Sequence, residues 1–240
     1  MPDNGKKTIL IVDDSQIIRS SLESYFSQYN FSIITCSDGL EGIQRAIENK
    51  PDLIFLDLLM PNFDGMKMLQ VIKIIDNLKN IPIIVISGNT SKTNVLSAIE
   101  AGADKVVSKP LQKEVLIRKI NELLGPEFLE NAKCSQSADD QQNKEIQQHL
   151  IKYFLDNFSK NKMKLINGIE IKDKEIVQRV IHDIKGSGGT IGYPLISILS
   201  YEIEKSFENE IIDWGIVSLK SQQIFSMVEK IEYPKILTER

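Results

Sequence analysis

The chain has 240 residues, of which 42% are hydrophobic and 26% charged. That balance excludes an intrinsically disordered polypeptide, and the length allows one large domain or two small ones. The net charge of −4 is spread evenly: from Asp139 onward 14 basic residues face 16 acidic ones, so each part carries about −2. With no basic segment, nucleic acid is not expected among the partners.

The longest apolar stretch, Leu53 to Met60, is interrupted by Asp57 and falls far short of the roughly 20 residues of a membrane helix. Lys6-Lys7 precede only five apolar-type residues, too few for a signal peptide. A cytoplasmic protein without membrane insertion is expected. Cys36 and Cys134 form neither a disulfide framework nor a CxxC pair.

In chain order, strand-like runs at Thr8–Val12, Phe31–Thr35, Asp52–Leu56, Ile81–Ile86 and Lys105–Val107 alternate with helical patterns. The latter span Gln16–Tyr29, Leu40–Asn49, Met66–Leu78, Lys92–Ala101 and Gln112–Leu124. The strands are continuous apolar runs, as expected when helices cover both faces of a parallel sheet. Five such units predict an open doubly wound α/β domain over 1–125. Gly125-Pro126 stops the last helix, Ala132 to Asn143 is poor in apolar residues, and 126–143 reads as a linker. Helical patterns at Glu145–Phe158, Asp173–Lys185, Pro194–Glu208 and Ile211–Ile231 then predict an all-α bundle over 144–240.

Asp13 and Asp14 follow the first strand, Asp57 and Ser87 end the third and fourth, and Lys109 follows the fifth. A parallel sheet gathers these positions at one edge, where open α/β sheets bind ligands. Taken singly, Asp14 or Ser15 is also a helix cap, Ser87-Gly88 a turn and Lys109 a solvated lysine. Together, three carboxylates repel one another at about 4 kcal/mol per close pair unless a proton or cation intervenes. Carboxylate oxygens suit Mg²⁺. With a hydroxyl and an amine alongside, the set suits phosphoryl transfer onto a carboxylate.

The segments ILIVDDS at 9–15, LIFLDLLMPNFDG at 53–65, VISG at 85–88 and SKP at 108–110 resemble the receiver domain of two-component response regulators. The resemblance implies that Asp57 accepts phosphate, and that Asp13 and Asp14, with Asp57 and the Leu59 backbone carbonyl, hold Mg²⁺. It further implies that Ser87 and Lys109 bind phosphoryl oxygens, and that Lys109-Pro110 is a candidate cis peptide. Val106 stands where receivers usually carry an aromatic switch residue.

Within VQRVIHDIKGSGGTIG at 177–192, Ile176, Val177, Val180, Ile181 and Ile184 form one apolar stripe. His182 falls on the opposite side, so it is expected to face solvent. Gly186 either caps the helix or leaves the imidazole open to another protein's site. His149 has no metal-ligand motif nearby. His182, Ile184, Lys185, Gly186, Ser187 and Gly192 resemble the signature of histidine-containing phosphotransfer (HPt) domains. That resemblance makes His182 a phosphoacceptor, with Lys185 neutralising the phosphoryl group and Gly186 granting access.

The expected fold class is therefore α/β plus all-α: a flavodoxin-like five-stranded doubly wound sheet followed by a four-helix-bundle HPt-like domain. The expected function is a phosphorelay protein, not a turnover enzyme. Its expected partners are a sensor or hybrid histidine kinase and other receiver or HPt proteins. The alternatives are an aspartyl-phosphate phosphatase of the haloacid-dehalogenase type and a binding module in which His182 is inactive.

Overall fold

The computed structural model describes residues 6–60, 64–88, 92–133, 140–209 and 211–234. The chain divides into two compact units, 1–139 and 140–240. Cys134 lies outside the described residues.

In the first unit, β1 (Thr8–Val12), β2 (Ser32–Cys36), β3 (Leu53–Asp57), β4 (Ile83–Ser87) and β5 (Lys105–Ser108) form a parallel sheet of order β2-β1-β3-β4-β5. This is the flavodoxin-like order, which reverses direction beside β1. Between the strands run α1 (Gln16–Phe26), α2 (Gly39–Asn49), α3 (Gly65–Ile74) and α4 (Lys92–Glu100), and α5 (Lys113–Leu124) follows β5. Asp38 and Asp64 cap α2 and α3 by accepting backbone N–H bonds.

The uninterrupted apolar strands have the predicted cause, because the three central ones, β1, β3 and β4, bury both faces. Ile9, Ile11, Phe55, Ile84 and Ile86 point to a core shared with Ile18, Leu22 and Phe26 of α1 and Leu116 and Ile120 of α5. Their alternates Leu10, Val12, Ile54, Leu56, Ile83 and Val85 meet Ala46 of α2, Met68, Leu69 and Ile72 of α3 and Ala98 of α4. Observed β2 to β5 each extend at least one residue past the sequence-based boundary at the carboxyl end, bringing Asp57 and Ser87 into the strands themselves.

The expected linker at 126–143 requires correction. A short helix, α6 (Glu127–Glu130), buries Phe128 and Leu129 in the α1/α5-side core, with Phe128 stacked on Phe31 at 5.3 Å. Lys7 lies over the Phe128 ring, and the Asn30 N–H donates to the Ala132 carbonyl at 2.6 Å. Two apolar side chains just ahead of the polar stretch from Ala132 were enough to dock it.

The second unit contains α7 (Asp140–Glu170), α8 (Lys174–Thr190), α9 (Pro194–Ser206) and α10 (Trp214–Val228). Each packs on the next, and α10 returns to α7. Helix α7 far exceeds its expected 145–158 span, since no glycine or proline interrupts the chain before Gly168. Helix α8 runs through Gly186, Gly188 and Gly189, so Gly186 does not end it. The stop is Gly192, at φ +96°, where the Tyr193 N–H donates to the Gly188 carbonyl at 2.9 Å. Trp214, the chain's one tryptophan, meets Phe207 edge-on at 5.9 Å. Among the described residues, no helix is long and apolar enough to cross a membrane.

Candidate functional site

At the carboxyl edge of the sheet the five expected residues converge on β-strand ends. Asp13, Asp57, Ser87 and Lys109 are all buried, and Asp14 is half-buried. Ligand oxygens of Asp13, Asp14 and Asp57 lie within 4.8 Å of one another. Lys109 Nζ donates to Asp57 Oδ2 at 2.6 Å and lies 2.9 Å from Asp13 Oδ2. The Leu59 N–H donates to Asp57 Oδ1 at 3.2 Å, which sets that backbone beside the cluster. The Lys109-Pro110 peptide is cis.

Burial raises the Asp13 carboxyl to about 7, with the Asp57 charge adding to the rise and Lys109 opposing it. Burial alone would depress Lys109, but the two carboxylates outweigh it and hold the ammonium above its ordinary range. Among the described residues, Asp13 Oδ2 is buried without a well-directed hydrogen bond despite its ammonium neighbour. An under-coordinated buried carboxylate oxygen among three carboxylates fits a hard divalent cation. Asp13, Asp14 and Asp57 are the residues that could hold Mg²⁺.

Gly65 at the start of α3 is a further requirement of this edge. A Cβ there would stand 1.8 Å from the Asp57 carbonyl oxygen. The Gly65 N–H donates to the Leu58 carbonyl at 3.1 Å, closing the loop that follows Asp57. Leu59, two residues beyond Asp57, is half exposed and lacks the acid–base carboxyl that the dehalogenase-type alternative calls for at that position. Val106 packs with its aliphatic side chain against the core on the α2–α4 side.

The second expected site is arranged differently from the expectation. His182 does not face open solvent: its side chain is 17% exposed, and Nε2 is buried with no hydrogen-bond partner among the described residues. The reason is that α8 packs on both α7 and α9, which covers the side of the helix opposite its apolar stripe. Nδ1 lies 3.2 Å from Glu204 Oε1 on α9. The other Glu204 oxygen, Oε2, pairs with Lys185, which is buried and sits over the Tyr201 ring at 5.3 Å. Lys185 is thus turned to Glu204, and Gly186 lies buried in mid-helix. Burial would raise Glu204, but the His182 bond and the Lys185 ammonium hold its carboxyl below the usual range.

Comparison with known families decides the first unit. The family described as Response regulator receiver domain matches residues 9–121. Residues 9–121 are a response regulator receiver domain.

Relatives of this receiver include the transcriptional regulatory protein PrrA of Mycobacterium tuberculosis, 34% identical over 116 residues, or 48% of this chain and 49% of that protein. Another is AfsQ1 of Streptomyces coelicolor, also named a transcriptional regulatory protein, 32% identical over 49% of this chain and 51% of its own. The chain therefore spans about half the length of the curated relatives it matches. Among solved structures, chemotaxis protein CheY4 of Vibrio cholerae is 25% identical with a TM-score of 0.48, covering 50% of this chain and 100% of that one. The signal receiver domain of a DNA-binding response regulator from Colwellia psychrerythraea is 26% identical with a TM-score of 0.47, over 50% and 98%.

These relatives correct one expectation. The exclusion of nucleic acid as a partner does not stand, because receivers of this kind occur in proteins named transcriptional regulators. The error was to read partner class from net charge, an average that says nothing of how charge is distributed over a surface.

Sequence reasoning also missed Glu204, the residue that His182 and Lys185 share. It lies 22 positions from His182, on another helix, and only the α8–α9 packing joins them.

Proposed function

We propose that the chain is a phosphorelay signal-transduction protein in which Asp57 accepts a phosphoryl group from a phosphohistidine donor. The supporting observation is the buried juxtaposition of Asp57 with Lys109 at 2.6 Å and with Asp13 and Asp14 inside one 4.8 Å cluster. A carboxylate oxygen of Asp57 attacks phosphorus, the P–N bond to the donor imidazole breaks, and the electron pair stays on the ring nitrogen. Lys109 and the Ser87 hydroxyl bind phosphoryl oxygens as charge shifts onto them. Asp13, Asp14, Asp57 and the Leu59 carbonyl would hold Mg²⁺, whose chemistry is to neutralise the phosphoryl oxygens. The donor is a sensor or hybrid histidine kinase, or another phosphohistidine protein. The protein carries phosphate rather than turning over an external substrate.

His182 is the second phosphoryl carrier, in an HPt-like four-helix unit. Its support is the Glu204 carboxylate at Nδ1, which holds the proton on Nδ1 and leaves Nε2 as the nucleophilic nitrogen. The burial of Nε2 favours a second reading, a helical docking module governed by the receiver in which His182 takes no phosphate.

A phosphotransfer assay tests both. With an acyl-phosphate donor and Mg²⁺, Asp57→Asn is expected to abolish the alkali-labile label; its persistence overturns the assignment of Asp57. With a phosphorylated partner receiver, His182→Gln is expected to abolish an acid-labile, alkali-stable label. Onward transfer at the wild-type rate in His182→Gln establishes the docking reading instead.

A further inference from the structure

Arg19 lies outside the acidic cluster, yet it is bound to the backbone that carries it. Its guanidinium Nη1 donates to the Asp13 carbonyl oxygen at 2.5 Å. That carbonyl belongs to the peptide unit joining Asp13 to Asp14. Because a peptide unit is planar, holding its oxygen restrains the rotation about both flanking bonds, and hence the directions in which the two Cα–Cβ bonds leave the backbone.

Other restraints act on the same turn, among them the Lys109 ammonium 2.9 Å from Asp13 Oδ2. The Asp13 N–H donates to the Cys36 carbonyl at 3.2 Å, and the Ser15 N–H donates to Asp13 Oδ1 at 2.9 Å. Arg19 adds a side-chain restraint on the carbonyl oxygen itself. It sits one turn into α1, its own N–H bonded to the Ser15 carbonyl at 3.1 Å, and helical side chains lean toward the N-terminus, which aims it back over the turn.

We propose that Arg19 is a positioning residue for divalent-cation binding by the receiver: it locks the Asp13–Asp14 peptide so that both carboxylates face one point. This rests on the reading of Asp13 and Asp14 as cation ligands. Groups that orient metal ligands commonly matter about 10- to 100-fold in affinity.

Electrostatics and positioning predict opposite signs here. Arg19 is a cation near a cation site, so if charge alone mattered, its removal would tighten Mg²⁺ binding. If it positions ligands, removal weakens binding.

The test is calorimetric titration of the full chain with Mg²⁺ alone, comparing wild type, Arg19→Gln, Arg19→Lys and Asp13→Asn. The expected result is a loss of about 10-fold in Mg²⁺ affinity for Arg19→Gln. Arg19→Lys restores part of it, since an ammonium reaches the same carbonyl with a single, less directed contact. Labelling by an acyl-phosphate donor adds a second readout: in Arg19→Gln the Mg²⁺ concentration for half-maximal rate rises, while the rate at saturating Mg²⁺ returns close to wild type. Mg²⁺ affinity that is unchanged or tighter in Arg19→Gln overturns the proposal, as does a saturating rate that falls with no shift in Mg²⁺ dependence. Unaltered binding in Asp13→Asn overturns instead the reading of the cluster as the cation site.

Discussion

Lys109 and Asp57 meet at 2.6 Å in a pocket where neither side chain is more than 3% exposed. The ammonium is held between two carboxylates, that of Asp57 and that of Asp13 at 2.9 Å. Buried carboxylates that lose their counter-charge are strongly destabilising. In the presence of a chelator, Lys109→Met is expected to cost about 3 kcal/mol or more at pH 8, measured by urea unfolding. The cost shrinks toward pH 5, where Asp13 takes up a proton in place of the lost cation.

Asp13 makes the metal-free protein pH-sensitive in an unusual direction for a carboxylate. Its folded-state value is raised from 3.8 to about 7, so the folded chain retains a proton that the unfolded chain releases. The associated stability is present in mild acid and is lost as pH rises toward and through 7. Thermal midpoints in chelator should fall between pH 5 and pH 8. Saturating Mg²⁺ should flatten that slope, and so should Asp13→Asn. A chelated wild-type midpoint that instead rises over the window contradicts the assignment.

Gly65 has no room for a side chain. An added Cβ would stand 1.8 Å from the Asp57 carbonyl oxygen, a backbone atom of a buried strand that has little freedom to retreat. Gly65→Ala is expected to cost about 1–3 kcal/mol or more and to depress Asp57 labelling at saturating Mg²⁺. Wild-type labelling in the variant would show that the loop adjusts without disturbing Asp57.

Glu204 gives the helical unit the opposite pH response. Its carboxyl is held below the ordinary 4.5, so its contribution is complete at neutral pH and disappears as the solution is acidified below that value. Glu204→Gln should cost about 2 kcal/mol at pH 7, because a buried Lys185 loses its charged acceptor. The difference between variant and wild type should shrink as the pH falls below 4.5. A constant difference across that range indicates packing rather than charge.

Phe128 ties α6 to the receiver. Phe128→Ala is expected to destabilise it by about 3–5 kcal/mol in urea unfolding, since the ring is buried against Phe31. A loss below about 1 kcal/mol would mean that α6 adds little.

The receiver edge was legible because its chemistry is tied to periodicity. Continuous apolar runs such as Leu53–Leu56 mark parallel strands, and a parallel sheet brings Asp13, Asp57, Ser87 and Lys109 to one side whatever the loops do. The surroundings of His182 were not legible for the converse reason. A helical wheel places His182 away from the stripe of Val177, Val180 and Ile184, but a helix packed on two neighbours has two covered sides. The pairing of Lys185 with Glu204 was likewise beyond reach, since a buried charge pair depends on how two helices cross. Arg19 was hidden in a pattern that reads equally well as a solvated helix face.

Trp214 lies in the helical unit against Phe207, and the sequence contains no other indole. Its emission is therefore a native optical label on residues 140–240. Any spectral shift that accompanies occupation of Asp57 would be a message that has travelled from one half of the polypeptide to the other.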